Sequence, residues 1–196
     1  MKHFGWGIIL LGLFLVGCVS QPTHWIPVQN PALAWNNHQN ELKQIHDFTV
    51  EGKAGISDGK TGQTFSFNWV QHSTYYQIDF YGPLGVKIAS LLKNKDGVFL
   101  DTQSGKLSAS NPETLMQEEL GFSLPIQGLQ DWIIGLPQHE TSEKQLNPYG
   151  YLMNLKEDGW EISYLDYERY QGLGVPHKMI LKNGQYRVVL LISFYV

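Results

Sequence analysis

The chain has a single cysteine, Cys18, so it has no means of forming an intrachain disulfide. Charge is also scarce: 16% of the 196 residues are charged, well under the usual quarter. The 14 basic and 18 acidic side chains form no basic block, which excludes charge-driven nucleic-acid binding and gives no net pull toward an anionic membrane surface. Catalytic patterns are missing too. There is no Gly-x-Ser-x-Gly elbow. The stretch "GISDGKTG", Gly55 to Gly62, has the wrong spacing for a phosphate loop and runs into a strand rather than a helix. Gly172-Leu173-Gly174 is an isolated fragment, and His38 and His46 have no acidic partner at metal-ligand spacing. Asp131, Asp158 and Asp166 are scattered, with nothing to pair them as acid and base. The expectation is a protein that is not an enzyme and holds neither metal nor cofactor.

What is present begins at the N-terminus. Met1-Lys2-His3 is a short basic start, followed by an apolar run from Phe4 to Val16, which is the pattern of a secretory signal. As a helix that run reaches only about 20 Å, against the roughly 30 Å of a hydrocarbon core. It ends in Leu15-Val16-Gly17-Cys18, which resembles the bacterial lipobox. The expected organisation is therefore a signal peptide over residues 1–17, a lipidated Cys18 opening a tether over 18–30, and a single domain over 31–196. Because Val19 and not aspartate follows the cysteine, resemblance to enteric lipoproteins implies sorting to the outer membrane. Multiple acyl chains hold firmly where one anchors only marginally.

Beyond the proline-bearing tether, Asn30-Pro31 is a cap and first turn, and Trp35, His38, Leu42 and Ile45 recur at helical spacing. From Phe48 to Ile56 the apolar period changes to two. Further strands are expected at Thr64–Gln71, Tyr75–Tyr81, Val86–Lys93, Val98–Thr102 and Lys106–Ala109, with tight turns that imply antiparallel neighbours. Helices follow from Pro112 and over Leu129–Leu136. A last block of strands takes in Tyr151–Leu155, Trp160–Tyr167, Lys178–Leu181 and Tyr186–Val196.

The fold class is thus mainly β with helices. It is an antiparallel sheet of about 10–11 strands, large enough to curl into an incomplete half-barrel, with helices covering its concave face. Phe65, Phe67, Trp69, Tyr76, Ile78, Phe80, Ile88, Leu92, Trp132, Ile133, Trp160, Ile162, Tyr164, Val188, Leu190 and Ile192 are assigned to that face. Such residues form core, or line a hydrophobic cavity where the helices leave room.

One turn is unusual for a turn. In "DFYGPLGVKIASLL", Asp79 to Leu92, the tip carries a leucine. Pro83 suits the second position of a type I turn and Gly85 the fourth, which leaves Leu84 pointing away from the sheet.

Several stretches together resemble the LolB family of outer-membrane lipoprotein receptors. They are "WNNHQNELKQIHDFTVEGKAGI", Trp35 to Ile56; "FSFNWVQ", Phe65 to Gln71; "YGPLG", Tyr81 to Gly85; "PETLMQEELGFSLPIQGLQDWIIGLP", Pro112 to Pro137; "DGWEISYLDYERY", Asp158 to Tyr170; and the ending "VPHKMILKNGQYRVVLLISFYV" from Val175. The resemblance runs in order over nearly the whole chain after Cys18. It implies an eleven-stranded open barrel with helices over its mouth and a cavity for acyl chains. It further implies a monomer that takes acylated lipoprotein cargo from the periplasmic carrier LolA and delivers it into outer-membrane lipid, with the Pro83-Leu84-Gly85 loop acting at the membrane. Phe194 stands where the family is expected to have tryptophan. A lipid-anchored binding module for another hydrophobic ligand, or a structural outer-membrane lipoprotein, also fits the residues alone. Glu113, Glu118, Glu119 and Asp131 are candidates for docking the carrier.

Overall fold

A computed structural model describes residues 25–195. Residues 1–17, read from the sequence as a signal peptide, and Cys18 lie outside the described residues. Of the stretch read as tether, Trp25 and Val28 are fixed to the domain: the Trp25 ring meets Tyr151 edge-on at 5.1 Å, and Val28 N–H donates to Pro148 O.

Helix α1, Pro31–Leu42, starts where Asn30 Oδ1 accepts from Leu33 N and Pro31 occupies the first turn. Eleven strands follow: β1 Asp47–Ser57, β2 Gly62–His72, β3 Tyr75–Tyr81, β4 Lys87–Asn94, β5 Gly97–Thr102, β6 Gly105–Ala109, β7 Glu143–Leu146, β8 Leu152–Glu157, β9 Trp160–Tyr170, β10 Leu173–Asn183 and β11 Tyr186–Tyr195. Between β6 and β7 come α2, Pro112–Leu120, capped by Asn111 Oδ1, and α3, Ile126–Trp132. The strands form one antiparallel sheet in the order β6-β5-β4-β3-β2-β1-β11-β10-β9-β8-β7. β6 and β7 are its two edges, so the sheet stays open.

Period-two alternation decides the two faces. Along β2, Phe65, Phe67 and Trp69 are buried and their neighbours are not. Across the ladder Phe67 faces Phe80, Trp69 faces Ile78, and Ala54 faces both Phe65 and Leu190. Side chains from helices and connections close over this inner face. Phe122, between α2 and α3, stacks on Phe65 at 4.6 Å, and Trp132 at the end of α3 is 1% exposed. One contiguous apolar core results.

Several boundaries differ from the sequence reading, for physical reasons. β7, "EKQL", has too few apolar residues to signal a strand, and it forms by pairing with β8. β10 begins at Leu173, ahead of Pro176, because a bulge around Pro176 to Met179 accommodates a residue that cannot join the ladder. α3 stops at Trp132 rather than Leu136; the following turn needs a left-handed residue, supplied by Gly135 at φ 87°.

Candidate functional site: an enclosed apolar face and an exposed apolar tip

Of the side chains assigned to the inner face, Phe65, Phe67, Trp69, Tyr76, Ile78, Phe80, Trp132, Ile133, Ile162, Tyr164, Val188, Leu190 and Ile192 are buried in one cluster, and Trp160 packs half-buried at its margin. Leu92 is a correction: in β4 it is Ala89 that faces Phe80 and Leu91 that faces Ile78, which puts Leu92 on the other face, while Ile88, left out of the ladder at a bulge, packs half-buried against the cluster. The register slips beside Phe80 and Tyr81, where the chain leaves β3, and a one-residue slip inverts every side chain after it.

Trp132 is the most constrained member of the inner face. Its ring lies so close over Gly128 that a Cβ there would sit 2.3 Å from it, so only glycine fits. Its indole N–H donates to Glu157, a carboxylate at the end of β8 that is 5% exposed. The same carboxylate accepts from Gln138 N at 2.9 Å, His139 N at 2.8 Å and the Ser142 hydroxyl. Burial pushes the Glu157 acid upward, but these hydrogen bonds outweigh it and hold the carboxyl below its ordinary range. Glu157 therefore fastens α3 and the segment after it to the sheet. The sequence reading ended this strand at Leu155 and missed Glu157; its one signal was a charged residue at an inward-facing position.

The Pro83–Gly85 turn, at the same end of the sheet as the β8–β9 turn that follows Glu157, is the opposite of enclosed. Gly85 N–H donates to Gly82 O at 3.2 Å and Gly82 N–H to Val86 O at 2.8 Å, closing the loop. Leu84 is fully exposed, at 102% of its reference area, and Pro83 and Val86 are exposed beside it. The expected type I geometry does not occur. Leu84 lies at φ 65°, ψ 14°, in the left-handed region where a side chain costs about 1 kcal/mol or more relative to glycine. Lys87, at the start of β4, is paired with Asp79 at 2.9 Å. Asp79 is pushed up by partial burial but held below the usual carboxylate range by hydrogen bonds from Ser90, Lys87 and Gln77. The tip thus displays apolar surface next to a charge that is already neutralised. Pro83 and Leu84 also border a groove of about 550 Å³ whose lining includes Lys53, Thr64, Ser66, Val189 and Leu191.

The remaining sequence candidates are dispersed. Glu118 and Glu119 project from α2 into solvent, whereas Glu113 and Asp131 are half-buried. The Asp131 acid is raised by burial and by the neighbouring Glu157 charge, against a hydrogen bond from Gln138. His38 is buried against Tyr151, with 4.6 Å between ring centroids, and its Nε2 has no hydrogen-bond partner among the described residues. Burial lowers the imidazole pKa to about 4, against a smaller opposite effect of the Gly174 backbone. Among the described residues there is no cluster of His, Cys, Asp or Glu suited to a metal, and no helix long and apolar enough to cross a membrane.

Comparison with known proteins fits this geometry. A family profile described as "Outer membrane lipoprotein LolB" matches residues 46–194. The chain is 32% identical over 201 residues to "Outer-membrane lipoprotein LolB" of Nitrosococcus oceani, covering 100% of this chain and 98% of that protein. It is 31% identical over 182 residues to the protein of the same name from Pseudomonas aeruginosa, covering 91% and 89%. Among solved structures it is similar in fold to a DUF1329 family protein from Desulfovibrio piger, with TM-score 0.51, 12% identity and coverage of 84% of this chain and 92% of that one. A LolA superfamily protein from Nitrosomonas europaea has TM-score 0.50 and 10% identity, covering 86% and 92%.

Proposed function

The chain belongs to the LolB family of outer-membrane lipoproteins, and from that premise we propose that it is an outer-membrane receptor. It accepts acylated lipoproteins from the carrier LolA onto its inner apolar face and inserts them into the membrane. Cys18 is the anchor, and the Pro83-Leu84-Gly85 tip is the element that enters lipid. The anchor holds the protein at the surface into which cargo is released.

The observation that carries this reading is Leu84. Leaving such a side chain in water forgoes roughly 1.5–3 kcal/mol, and the backbone there is strained as well. A fold does not accumulate both costs at one residue unless another environment relieves them, and bilayer hydrocarbon relieves the larger. The enclosed inner face supports the second half of the reading. An apolar surface covered by short helices takes acyl chains when those helices lift, and Trp132 with its Glu157 tie is the piece that must move.

Delivery needs no nucleotide. Three acyl chains of about fifteen methylenes gain on the order of 36 kcal/mol on entering a bilayer at about 0.8 kcal/mol per methylene. Protein complexes saturate near −18 to −21 kcal/mol, so the bilayer outcompetes any protein cavity and the receptor's task is kinetic. Glu118 and Glu119, free on the surface of α2, are better placed than Glu113 or Asp131 to meet a basic surface on the carrier.

The test compares a soluble form, leader removed and Cys18→Ala, with the same protein carrying Leu84→Glu. Both are offered cargo-loaded LolA, and cargo accepted is measured separately from cargo delivered to vesicles. Both are expected to accept, and only the leucine form to deliver. If neither accepts cargo, the receptor reading fails.

A further inference from the structure

A second groove, of about 570 Å³, lies between α2, α3 and the turns that join β8 to β9 and β10 to β11. Trp132, Trp160 and Tyr186 give it aromatic walls, and Trp160 meets Tyr186 edge-on at 6.1 Å. Its polar lining includes neutral amides, Gln117, Gln127 and Asn183, together with two acids, Glu113 and Asp158, and no lysine or arginine. Glu113 is the informative member. One of its oxygens accepts from Gln127 N at 3.3 Å; the other, Oε2, is buried and has no partner among the described residues.

A buried carboxylate oxygen without a partner is costly, and the group that relieves it is an N–H donor. A lining of two acids and no cation repels a phosphate. Peptide amides suit the neutral amides and aromatic walls as well. Trp132 belongs both to this groove and to the inner apolar face, so a ligand in the groove is one indole away from the surface proposed to take acyl chains. We propose that the groove receives the peptide stem adjoining the acylated cysteine of the cargo, that the Glu113 side chain turns its unpartnered Oε2 outward to accept from a stem N–H, and that the groove separates acylated peptide from phospholipid. This rests on the receptor reading above. The acyl chains are common to both kinds of molecule, and discrimination comes from the head: the site hydrogen-bonds the one and leaves the other's charge unpaired against two carboxylates.

The experiment measures binding of three probes to the soluble Cys18→Ala protein. They are a tripalmitoyl-cysteinyl peptide, a dipalmitoyl phosphatidylglycerol, and methyl palmitate, which has chains but no such head. Each is compared with Glu113→Lys and with Gln117→Lys, the latter an exposed position on the groove wall where a new cation does not disturb packing. The expected result is a peptide-to-phospholipid affinity ratio that falls about tenfold or more in both variants, with methyl palmitate reporting the acyl face independently. An unchanged ratio in both variants, with methyl palmitate still bound, overturns the groove assignment and leaves the receptor reading standing. Failure of the parent protein to bind any acylated probe overturns both.

Discussion

Trp132, the last residue of α3, and Leu84, the middle residue of the Pro83–Gly85 turn, are both large apolar side chains, yet one is 1% and the other 102% exposed. Trp132 is over-determined: a glycine makes room for its ring, a buried carboxylate takes its N–H, and the inner face of the sheet lies beneath it. Leu84 has no such support, and it sits in a backbone conformation that disfavours a side chain. The difference teaches that apolar residues in this protein are divided by task. The inner set is held in reserve under a cover, whereas the tip is presented permanently.

Three perturbations probe that division. The largest expected effect is at Trp132: Trp132→Ala should cost about 3–5 kcal/mol in denaturant unfolding, because it opens a cavity and strips a donor from Glu157. A cost under 1 kcal/mol would mean that the cover is loosely held. Acid comes next. His38 has its folded pKa lowered to about 4 from an ordinary 6.5, so the unfolded chain binds the proton first as pH falls. Stability should be unaffected above about pH 6.5 and should decline between 6.5 and 4, by as much as about 3 kcal/mol. Glu157 acts in the same direction at lower pH: its depressed carboxyl stabilises the fold above its unfolded pKa, and that contribution disappears as pH falls through its folded value. A His38→Phe variant whose unfolding midpoint still falls equally between pH 6.5 and 4 would remove His38 from the account.

The smallest stability effect is the most discriminating. Leu84→Gly relieves the left-handed strain and should leave stability unchanged or raise it by up to about 1 kcal/mol, while lowering delivery of cargo to vesicles. Full delivery by that variant would reduce the tip to an ordinary turn and erase the contrast with Trp132.

Much of this was legible beforehand, because alternation in strands is a local property. Phe65, Phe67 and Trp69 announce their face through spacing of two, and the sheet places them there. Leu92 does not follow the same rule, since a register slip beside Phe80 resets the parity and leaves no trace in composition, while Ile88, at the slip itself, stays against the core. Leu84 stood out as a leucine where turns carry polar residues, but its left-handed φ did not. Glu113 reads from sequence as one docking candidate beside Glu118, Glu119 and Asp131, and only the groove around it distinguishes it from Glu118 and Glu119.

The sequence by itself determined the strand periodicity, the capped starts of α1 and α2 at Asn30 and Asn111, and the leucine at the tip of a turn, since each depends on residues within a few positions of one another. Tertiary structure decided the rest: that Glu157 fastens Trp132 from 25 residues away, that β7 pairs at all, and that two helices and two distant turns enclose one groove. Those contacts join segments whose separation along the chain carries no local signal, and they form only when the whole sheet has brought its inner face to one side.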